Sequence, residues 1–217
     1  MIKAIIFDFD MTLINSLYIG RKSRQMLGEK YGIFMKSITE KQAFGMNHEG
    51  FAKVLEKDNP DKLDWQKIDK VNMEYMKTIF DTESLMHMKL LLDLNKSGIR
   101  LGIISGNTSQ IIIDFLKNKK NKGKVKFDFI FTTDGLNKGK SKSDLIKECL
   151  NNWDIKSIEC IYVGDHPNDI IAAKEAKVIS AAVPSGLHSK EELKSYNPEI
   201  LIDNLDKLKE FISEIKT

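Results

Sequence analysis

Two aspartates, Asp8 and Asp10, stand on either side of one phenylalanine at the end of the apolar run AIIF near the start of the chain. An apolar, β-branched run predicts a strand, and residues two apart on an extended chain project from the same side of it. Like charges so placed repel each other unless a cation or a shared proton offsets them. We therefore expect a cation or an exchangeable proton at this pair.

The strand before this pair is one of several short β-branched segments that alternate with segments of helical periodicity. We predict strands at residues 3–7, 99–104, 127–132, 159–164 and 178–183, and helices at residues 90–98, 109–118, 141–152 and 167–177. Alternation of this kind predicts an α/β fold in three layers, in which a parallel sheet is covered by helices on both faces.

One stretch departs from this alternation. From about residue 15 to about residue 84 the sequence has no convincing strand and only helical segments, such as residues 16–32 and 65–80. The sequence therefore predicts an all-helical insertion after the first strand. The resulting domains are a core of residues 1–14 and 85–217 and a helical domain of residues 15–84.

Polar side chains follow several of the predicted strands. In an open parallel sheet, ligands bind beyond the carboxyl ends of the strands. The residues at these ends are Asp8, Asp10 and Thr12 after the first strand, Ser105, Gly106 and Asn107 after the second, and Gly164, Asp165 and Asp169 after the fourth; Lys138, Lys140 and Lys142 precede the helix before that strand. Taken singly, each is also typical of a turn or a helix cap. Their order and shared position favour one site.

The composition limits the class of protein. The 217 residues are 41% hydrophobic, enough to bury a core, and the formal net charge is only +3, which indicates no strong attraction to nucleic acid or an acidic membrane. The lysine-rich segment 117–126 is predicted to be a solvated loop. Cys149 and Cys160 are too few for a disulfide framework or a zinc site. No segment is typical of a signal peptide or a membrane span, so we expect a cytoplasmic protein.

Taken together, these motifs resemble those of the haloacid dehalogenase superfamily of phosphohydrolases, over nearly the whole chain. The matching segments are DFDMT (8–12), IISGN with Ser105, GKSKSDLIKECL (139–150) and GDHPND (164–169). The helical insertion resembles the small helical cap of the C1 type, and the core would be Rossmann-like. Residues 178–212 resemble the end of phosphoglycolate-phosphatase-like members.

The resemblance implies a magnesium-dependent phosphatase that acts on a small phosphorylated metabolite. Asp8 would attack phosphorus to form an aspartyl phosphate, while Asp10 would protonate the leaving alcohol and then deprotonate the attacking water. Mg²⁺ would be bound by Asp8, the backbone carbonyl of Asp10, and Asp165, with Asp169 as a further acid. The protein would act as a monomer or homodimer.

The resemblance also implies which groups bind the phosphate: Thr12, which would also orient its loop, Ser105, Gly106, Asn107 and a lysine. Many relatives carry Lys-Pro-x-Pro-(Asp/Glu) before the helix. The segment KSKSD (140–144) aligns with that pattern and selects Lys140, with Lys142 as second choice and Lys138 as third.

Two residues depart from the family pattern. Met11 stands where relatives usually have glycine, so the turn after the first strand must accept a side chain there. His166 follows Asp165, and we interpret it as a surface or hydrogen-bonded histidine rather than a ligand for an oxygen-preferring metal.

Substrate choice is predicted to lie in the helical domain. The segment FGMNHEGF (44–51) resembles a specificity turn of the cap, with Gly45, Met46, Asn47 and His48 as candidates. The alternative is an ordinary loop in which Asn47 caps the next helix.

Several activities remain open. The dehalogenases lack the second acid, and phosphonoacetaldehyde hydrolases have a nonacidic residue there, so Asp10 argues against both. A phosphomutase of the β-phosphoglucomutase type, which retains both acids, and a pyrophosphatase remain possible. A non-enzymatic binding module is disfavoured because every reacting group is present.

Overall fold

The computed structural model describes residues 1–44, 48–60, 63–65, 68, 84–133 and 135–214. The chain divides into two compact units. The first contains Met1–Asn15 and Ser84–Thr217, and the second contains Ser16–Glu83.

The first unit is built on a sheet of six parallel strands in the order β3-β2-β1-β4-β5-β6. The strands are β1 Ala4–Phe7, β2 Arg100–Ser105, β3 Phe129–Thr132, β4 Cys160–Gly164, β5 Ile179–Ala182 and β6 Ile200–Leu201. The strand β1 lies between β2 and β4, with Ile5 opposite Leu101 on one side and Ile161 on the other. The predicted parallel α/β sheet is confirmed. Strand β6 was not predicted, because its two residues are too short to show a pattern.

Helices connect the strands and make up the described regular structure of the second unit. They are α1 Ser16–Tyr31, α2 Glu40–Phe44 and α3 His48–Asp58 in the second unit, and α4 Met88–Lys96, α5 Ser109–Lys117, α6 Lys142–Trp153, α7 Pro167–Glu175, α8 Lys190–Ser195 and α9 Leu208–Glu214 in the first. The predicted helix at residues 65–80 lies almost entirely outside the described residues. No helix among the described residues is both long and apolar enough to span a membrane.

Alternate residues of the central strands are buried on opposite faces of the sheet. One face carries Ile6 and Tyr162, which pack in a cluster with Leu145 and Cys149 of α6 and with Ala173 of α7. On the other face, Ile5 and Phe7 of β1 are also fully buried. Helix α4 contacts β2, and helix α5 contacts β3. Burying an aliphatic or aromatic side chain of this size stabilises the fold by about 1.5–3 kcal/mol. The two buried faces give the three-layer architecture.

The second unit has its own small core. Leu27, Ile33, Leu55 and Ile68 are buried together. The buried amide of Asn59 donates to the carbonyl oxygen of Phe34 and accepts from its backbone N–H, at 2.8 and 2.9 Å.

Candidate active site

The carboxyl end of β1 places Asp8 beside a lysine. Its backbone N–H donates to the carbonyl oxygen of Val163 at 2.8 Å, so the ladder with β4 extends one residue past the strand. The buried carboxylate accepts from Nζ of Lys142 at 2.9 Å, and the same Nζ lies 2.7 Å from Oδ1 of Asp169. One ammonium group, on the first residue of α6, therefore links the end of β1 to the first turn of α7.

Three buried carboxylates meet at this point. Oxygen atoms of Asp8, Asp165 and Asp169 all lie within 4.8 Å of one another. Burial raises the pKa of Asp8 well above its usual value; Lys142 opposes this, and the neighbouring acids add to it. Burial, and next Asp169, raise the pKa of Asp165 to about 7. Asp169 and Asp8 raise the pKa of Lys142, although burial opposes them, so the lysine stays charged.

This cluster fits a divalent cation. A single ammonium group cannot balance three buried carboxylates, and burial, reinforced by the neighbouring acids, raises the pKa values of Asp8 and Asp165. The available side-chain ligands are all carboxylate oxygens, the type that Mg²⁺ and Ca²⁺ prefer. The residues present can therefore hold a hard divalent metal.

Helix α7 fixes Asp169 through its capping residues. The ring Nδ1 of His166, at the N-cap, accepts from the N–H of Asn168 at 3.0 Å, and Asp169 accepts from the N–H of His166 at 3.1 Å. A Cβ on Gly164 would lie 2.2 Å from Oδ2 of Asp169, so only glycine fits there. His166 is half-buried and edge-on to His188, with ring centroids 4.5 Å apart. It is a hydrogen-bonded histidine, as expected.

Two hydroxyl groups hold Asp165, one on each carboxylate oxygen. The hydroxyl of Thr12 donates to Oδ1 at 3.3 Å, and that of Ser185 donates to Oδ2 at 2.5 Å. Ser185 was not predicted, although it follows β5 and the strand-end rule applied to that strand would have found it. Tyr162 was not predicted either; its buried hydroxyl lies 3.4 Å from Oδ1 of Asp169 and 3.3 Å from the carbonyl oxygen of Ile104. No local pattern separates this tyrosine from the other apolar residues of β4.

Asp10 has different neighbours from Asp8. It is half-buried, and its carboxylate accepts from the hydroxyl of Ser105 at 3.4 Å and from the amide Nδ2 of Asn107 at 3.2 Å. The hydroxyl of Ser105 in turn accepts from the backbone N–H of Asn107 at 3.0 Å. The predicted strand-end group of Asp10, Ser105 and Asn107 therefore comes together, and the exposed Gly106 lies between the last two.

The chain turns directly after Phe9, so Asp10 lies in a turn and not on the strand. The strand ends at Phe7, so the expectation that both carboxylates project from one side of an extended strand is wrong. The N–H of Leu13 donates to the carbonyl of Phe9 at 2.9 Å, closing a turn in which Met11 has a φ of 59°. A side chain in this left-handed region costs about 1–3 kcal/mol, a strain that glycine at this position would avoid.

The structure does not bring Lys140 to the site, so the first choice of lysine is corrected to Lys142. The exposed Nζ of Lys140 contacts Oε2 of Glu148 at 2.6 Å and Oδ1 of Asn137 at 3.2 Å. Helix α6 begins after Ser141, whose hydroxyl accepts from the N–H of Asp144 in a capping box. Lys142 is therefore the first helical residue, and it is this side chain that reaches the acids. Lys138 is exposed.

The candidate specificity turn cannot be placed. Gly45, Met46 and Asn47 lie outside the described residues, and His48 is described only as the first residue of α3. Their role stays a prediction.

A three-layer α/β fold with buried acids, a lysine and a strand-end hydroxyl at one edge defines a class of enzymes that act on phosphorylated substrates. The chain belongs to the haloacid dehalogenase-like hydrolases, whose family model matches residues 5–183. The predicted superfamily and the prediction of a phosphatase-class enzyme are confirmed at this level, and a small phosphorylated substrate is implied.

Individual relatives carry different activities in their names. The chain is 25% identical to pyrophosphatase PpaX of Bacillus cereus strain Q1 over 222 residues, covering 99% of this chain and 98% of that protein. It resembles the crystal structure of a predicted phosphoglycolate phosphatase from Haemophilus somnus 129pt, with a TM-score of 0.77, 16% identity and coverage of 97% and 98%. It also resembles β-phosphoglucomutase from Clostridium difficile, with a TM-score of 0.72, 21% identity and coverage of 99% and 96%. At such identities the two structures show the fold alone.

Proposed function

We propose that this protein is a magnesium-dependent phosphatase that hydrolyses a small phosphomonoester through an aspartyl phosphate on Asp8. The observation that carries the proposal is the linkage of Asp8 and Asp169 by Lys142. A carboxylate held by a half-buried ammonium group is fixed in direction, and the ammonium can offset the charge that develops on a transferring phosphoryl group.

Asp8 and Asp10 take separate steps in this proposal. An oxygen of Asp8 attacks phosphorus and forms the aspartyl phosphate. The bond between phosphorus and the leaving oxygen breaks as Asp10 donates a proton to that leaving oxygen, which departs as the alcohol. Asp10 then takes a proton from water as the water attacks the aspartyl phosphate, which releases inorganic phosphate and restores Asp8. The half-buried position of Asp10 suits a group that must exchange a proton with substrate and water.

Phosphate oxygens would be held by donors from the strand ends. We assign this role to the hydroxyl of Ser105, the backbone around Gly106, the amide of Asn107 and the ammonium of Lys142, while Thr12 orients Asp165. Asp8, Asp165, the backbone carbonyl of Asp10 and Asp169 would hold Mg²⁺, which would supply the positive charge that lets these acids accept a phosphate dianion.

We further propose that the second unit acts as a cap that excludes water and selects the substrate. Phosphoglycolate-like acids and sugar phosphates are the first substrates to test. Pyrophosphate belongs in the same screen, because the similarity to PpaX covers almost the whole chain. A phosphomutase is the other alternative, since Asp10 is present.

The proposal is tested by a phosphate-release screen of these compounds with magnesium and with EDTA. We expect magnesium-dependent release from at least one phosphomonoester. Release only from pyrophosphate would favour the pyrophosphatase, and an isomerised sugar phosphate without release would favour the mutase. No turnover of any compound would reject an enzymatic role for the cluster.

A further inference from the structure

The hydroxyl of Tyr162 lies between the core and the buried carboxylates of the active site. Tyr162 belongs to β4 and is only 1% exposed. Its ring packs in the apolar cluster that α6 and α7 cover, while its hydroxyl lies 3.4 Å from Oδ1 of Asp169 in the first turn of α7. A core residue of a strand therefore reaches the polar groups of the site.

The contacts of this hydroxyl with oxygen acceptors are long. It lies 3.3 Å from the carbonyl oxygen of Ile104 and 3.4 Å from Oδ1 of Asp169, whereas an O–H···O bond is typically about 2.7–2.8 Å long. Its single hydrogen is donated to one acceptor at a time, which leaves lone pairs that can accept. Burying a hydroxyl on long bonds costs free energy, so the packing of the core alone would favour phenylalanine here.

The third neighbour of the hydroxyl is the ammonium group of Lys142. Burial raises the pKa of Tyr162, while Lys142 lowers it through its charge and a side-chain hydrogen bond. The two groups also share an acceptor, because Nζ of Lys142 lies 2.7 Å from the same Oδ1 of Asp169. The hydroxyl oxygen thus accepts a charge-assisted hydrogen bond, which is stronger than a bond between neutral groups.

The ammonium group has three hydrogens and three acceptors. Nζ of Lys142 donates to Oδ1 of Asp8 at 2.9 Å, to Oδ1 of Asp169 at 2.7 Å and to the hydroxyl of Tyr162. The first two acceptors are carboxylates and the third is neutral. A neutral acceptor fixes the direction of an ammonium group without reducing its positive charge.

The balance of these three contacts changes when Asp8 reacts. In the reaction proposed above, Asp8 forms a bond to phosphorus, and its carboxylate becomes an uncharged acyl group. Lys142 then keeps Asp169 and Tyr162 as partners, and the N–H that Asp8 had accepted faces the phosphoryl group. Two fixed acceptors hold the ammonium in one direction at the stage when its charge is needed.

We propose that Tyr162 is a positioning residue whose hydroxyl keeps the ammonium group of Lys142 directed at the phosphoryl group while Asp8 is esterified. This inference rests on the phosphatase function proposed above and adds to it a residue that does not touch the substrate. In the resting enzyme Asp8 and Asp169 hold Lys142 by charge, so the hydroxyl contributes to turnover and not to substrate binding.

Tyr162→Phe removes the hydroxyl and keeps the ring. With magnesium and a substrate found in the phosphate-release screen, we expect kcat to fall about tenfold and KM to change less than about twofold, as for an interaction made only in the transition state. Tyr196→Phe makes the same change at an exposed tyrosine and should leave both constants unchanged. Circular dichroism confirms that each variant is folded.

A double-mutant cycle with Lys142→Met separates positioning from a structural role. Without the ammonium group the hydroxyl has nothing to direct, so Tyr162→Phe should change the remaining kcat less than about twofold. A purely structural role lowers kcat to the same extent with and without Lys142. Lys142→Gln takes the place of Lys142→Met if the latter does not fold.

Beryllofluoride tests the same contact without turnover. With magnesium it binds an aspartate carboxylate as a tetrahedral mimic of the phosphoryl group, and ¹⁹F NMR measures its Kd. We expect Tyr162→Phe to raise this Kd about tenfold. Wild-type kcat and Kd in Tyr162→Phe, or equal losses with and without Lys142, overturn this inference and leave the phosphatase intact. A wild-type protein that neither releases phosphate nor binds beryllofluoride overturns the proposed function and this inference with it.

Discussion

Asp8 and Asp10 lie two residues apart in the chain but in different surroundings. Asp8 is ion-paired to Lys142, but its burial and the two further acids close by raise its pKa against the effect of that pair. Asp10 is half-buried and accepts hydrogen bonds from the neutral groups of Ser105 and Asn107. The left-handed turn at Met11 accompanies this divergence. The end of the strand thus provides a rigid, charge-dense position at Asp8 and the turn that follows provides an adaptable one at Asp10, which suits a nucleophile and a proton carrier respectively.

The largest effect is expected at the rigid position. Asp8→Asn removes the attacking oxygen and should lower kcat by at least about three orders of magnitude. The fold should survive, because the change removes a buried charge that lacks full compensation. Phosphate release and circular dichroism measure the two properties. Undiminished hydrolysis by a folded variant would show that Asp8 is not the nucleophile.

Substitution of Asp10, the adaptable position, should impair a different step from substitution of Asp8. Asp10→Asn should lower kcat about 10²–10⁴-fold, because general acid–base help is lost in both steps. Since Asp8 can still attack a substrate with a good leaving group, such as p-nitrophenyl phosphate, we expect one equivalent of nitrophenol in a burst and a trapped aspartyl phosphate detectable by mass spectrometry. A variant that loses turnover with neither burst nor trapped phosphate would remove the distinction between the two aspartates.

Lys142 and Lys140 provide a matched pair of variants. Lys142→Met should lower kcat about 10²–10³-fold, because it removes the charge facing the phosphoryl group. Without metal it should also lower the free energy of unfolding by about 3–5 kcal/mol, since buried carboxylates lose their partner. Lys140→Met removes the same charge two residues earlier, where Nζ contacts Glu148, and should change kcat less than about twofold. Equal losses in both variants would contradict the assignment of Lys142.

These two lysines also show what sequence reasoning can and cannot reach. The positions of Asp8, Ser105 and Asp165 at the carboxyl ends of strands could be predicted, because hydrophobic runs and the residues after them are local signals. Alignment to a family pattern could not choose between Lys140 and Lys142, because the direction of each side chain depends on the residue at which α6 begins. The capping pair Ser141 and Asp144 was a signal for that start.

Other parts of the site depend on long-range packing. Ser185 and Asp165 are separated by 20 residues, and their contact follows from the parallel pairing of β4 with β5. Tyr162 reaches Asp169 because its side chain lies on the sheet face covered by α6 and α7, and Asp169 is in the first turn of α7. Spacing alone does not encode such contacts, whereas the parallel sheet and its layers follow from the alternation of elements.

A smaller effect is expected from the hydroxyl groups that hold Asp165. Ser185→Ala should weaken magnesium binding about tenfold, because groups that orient a metal ligand usually contribute 10–100-fold. Thr12→Val should weaken it less, since its bond to Asp165 is 3.3 Å rather than 2.5 Å. Ser195→Ala, at an exposed position, is the control. Calorimetric titration with magnesium measures all three, and a larger loss in Thr12→Val than in Ser185→Ala would contradict this ranking.

The most indirect test is the pH dependence of stability without metal. The pKa of Asp165 is about 7 in the native state and 3.8 for an ordinary aspartate. Between pH 3.8 and about 7 the native state binds a proton that the unfolded chain has released, so the free energy of unfolding falls as pH rises. The contribution of Asp165 to that free energy is fully present below pH 3.8 and is lost as pH rises toward 7. Its slope is at most about 1.4 kcal/mol per pH unit for one proton. Urea unfolding of wild type and Asp165→Asn in EDTA isolates the slope as their difference. We expect saturating magnesium to remove it, because a bound cation favours the ionised carboxylate; the same slope with and without magnesium would place the metal elsewhere.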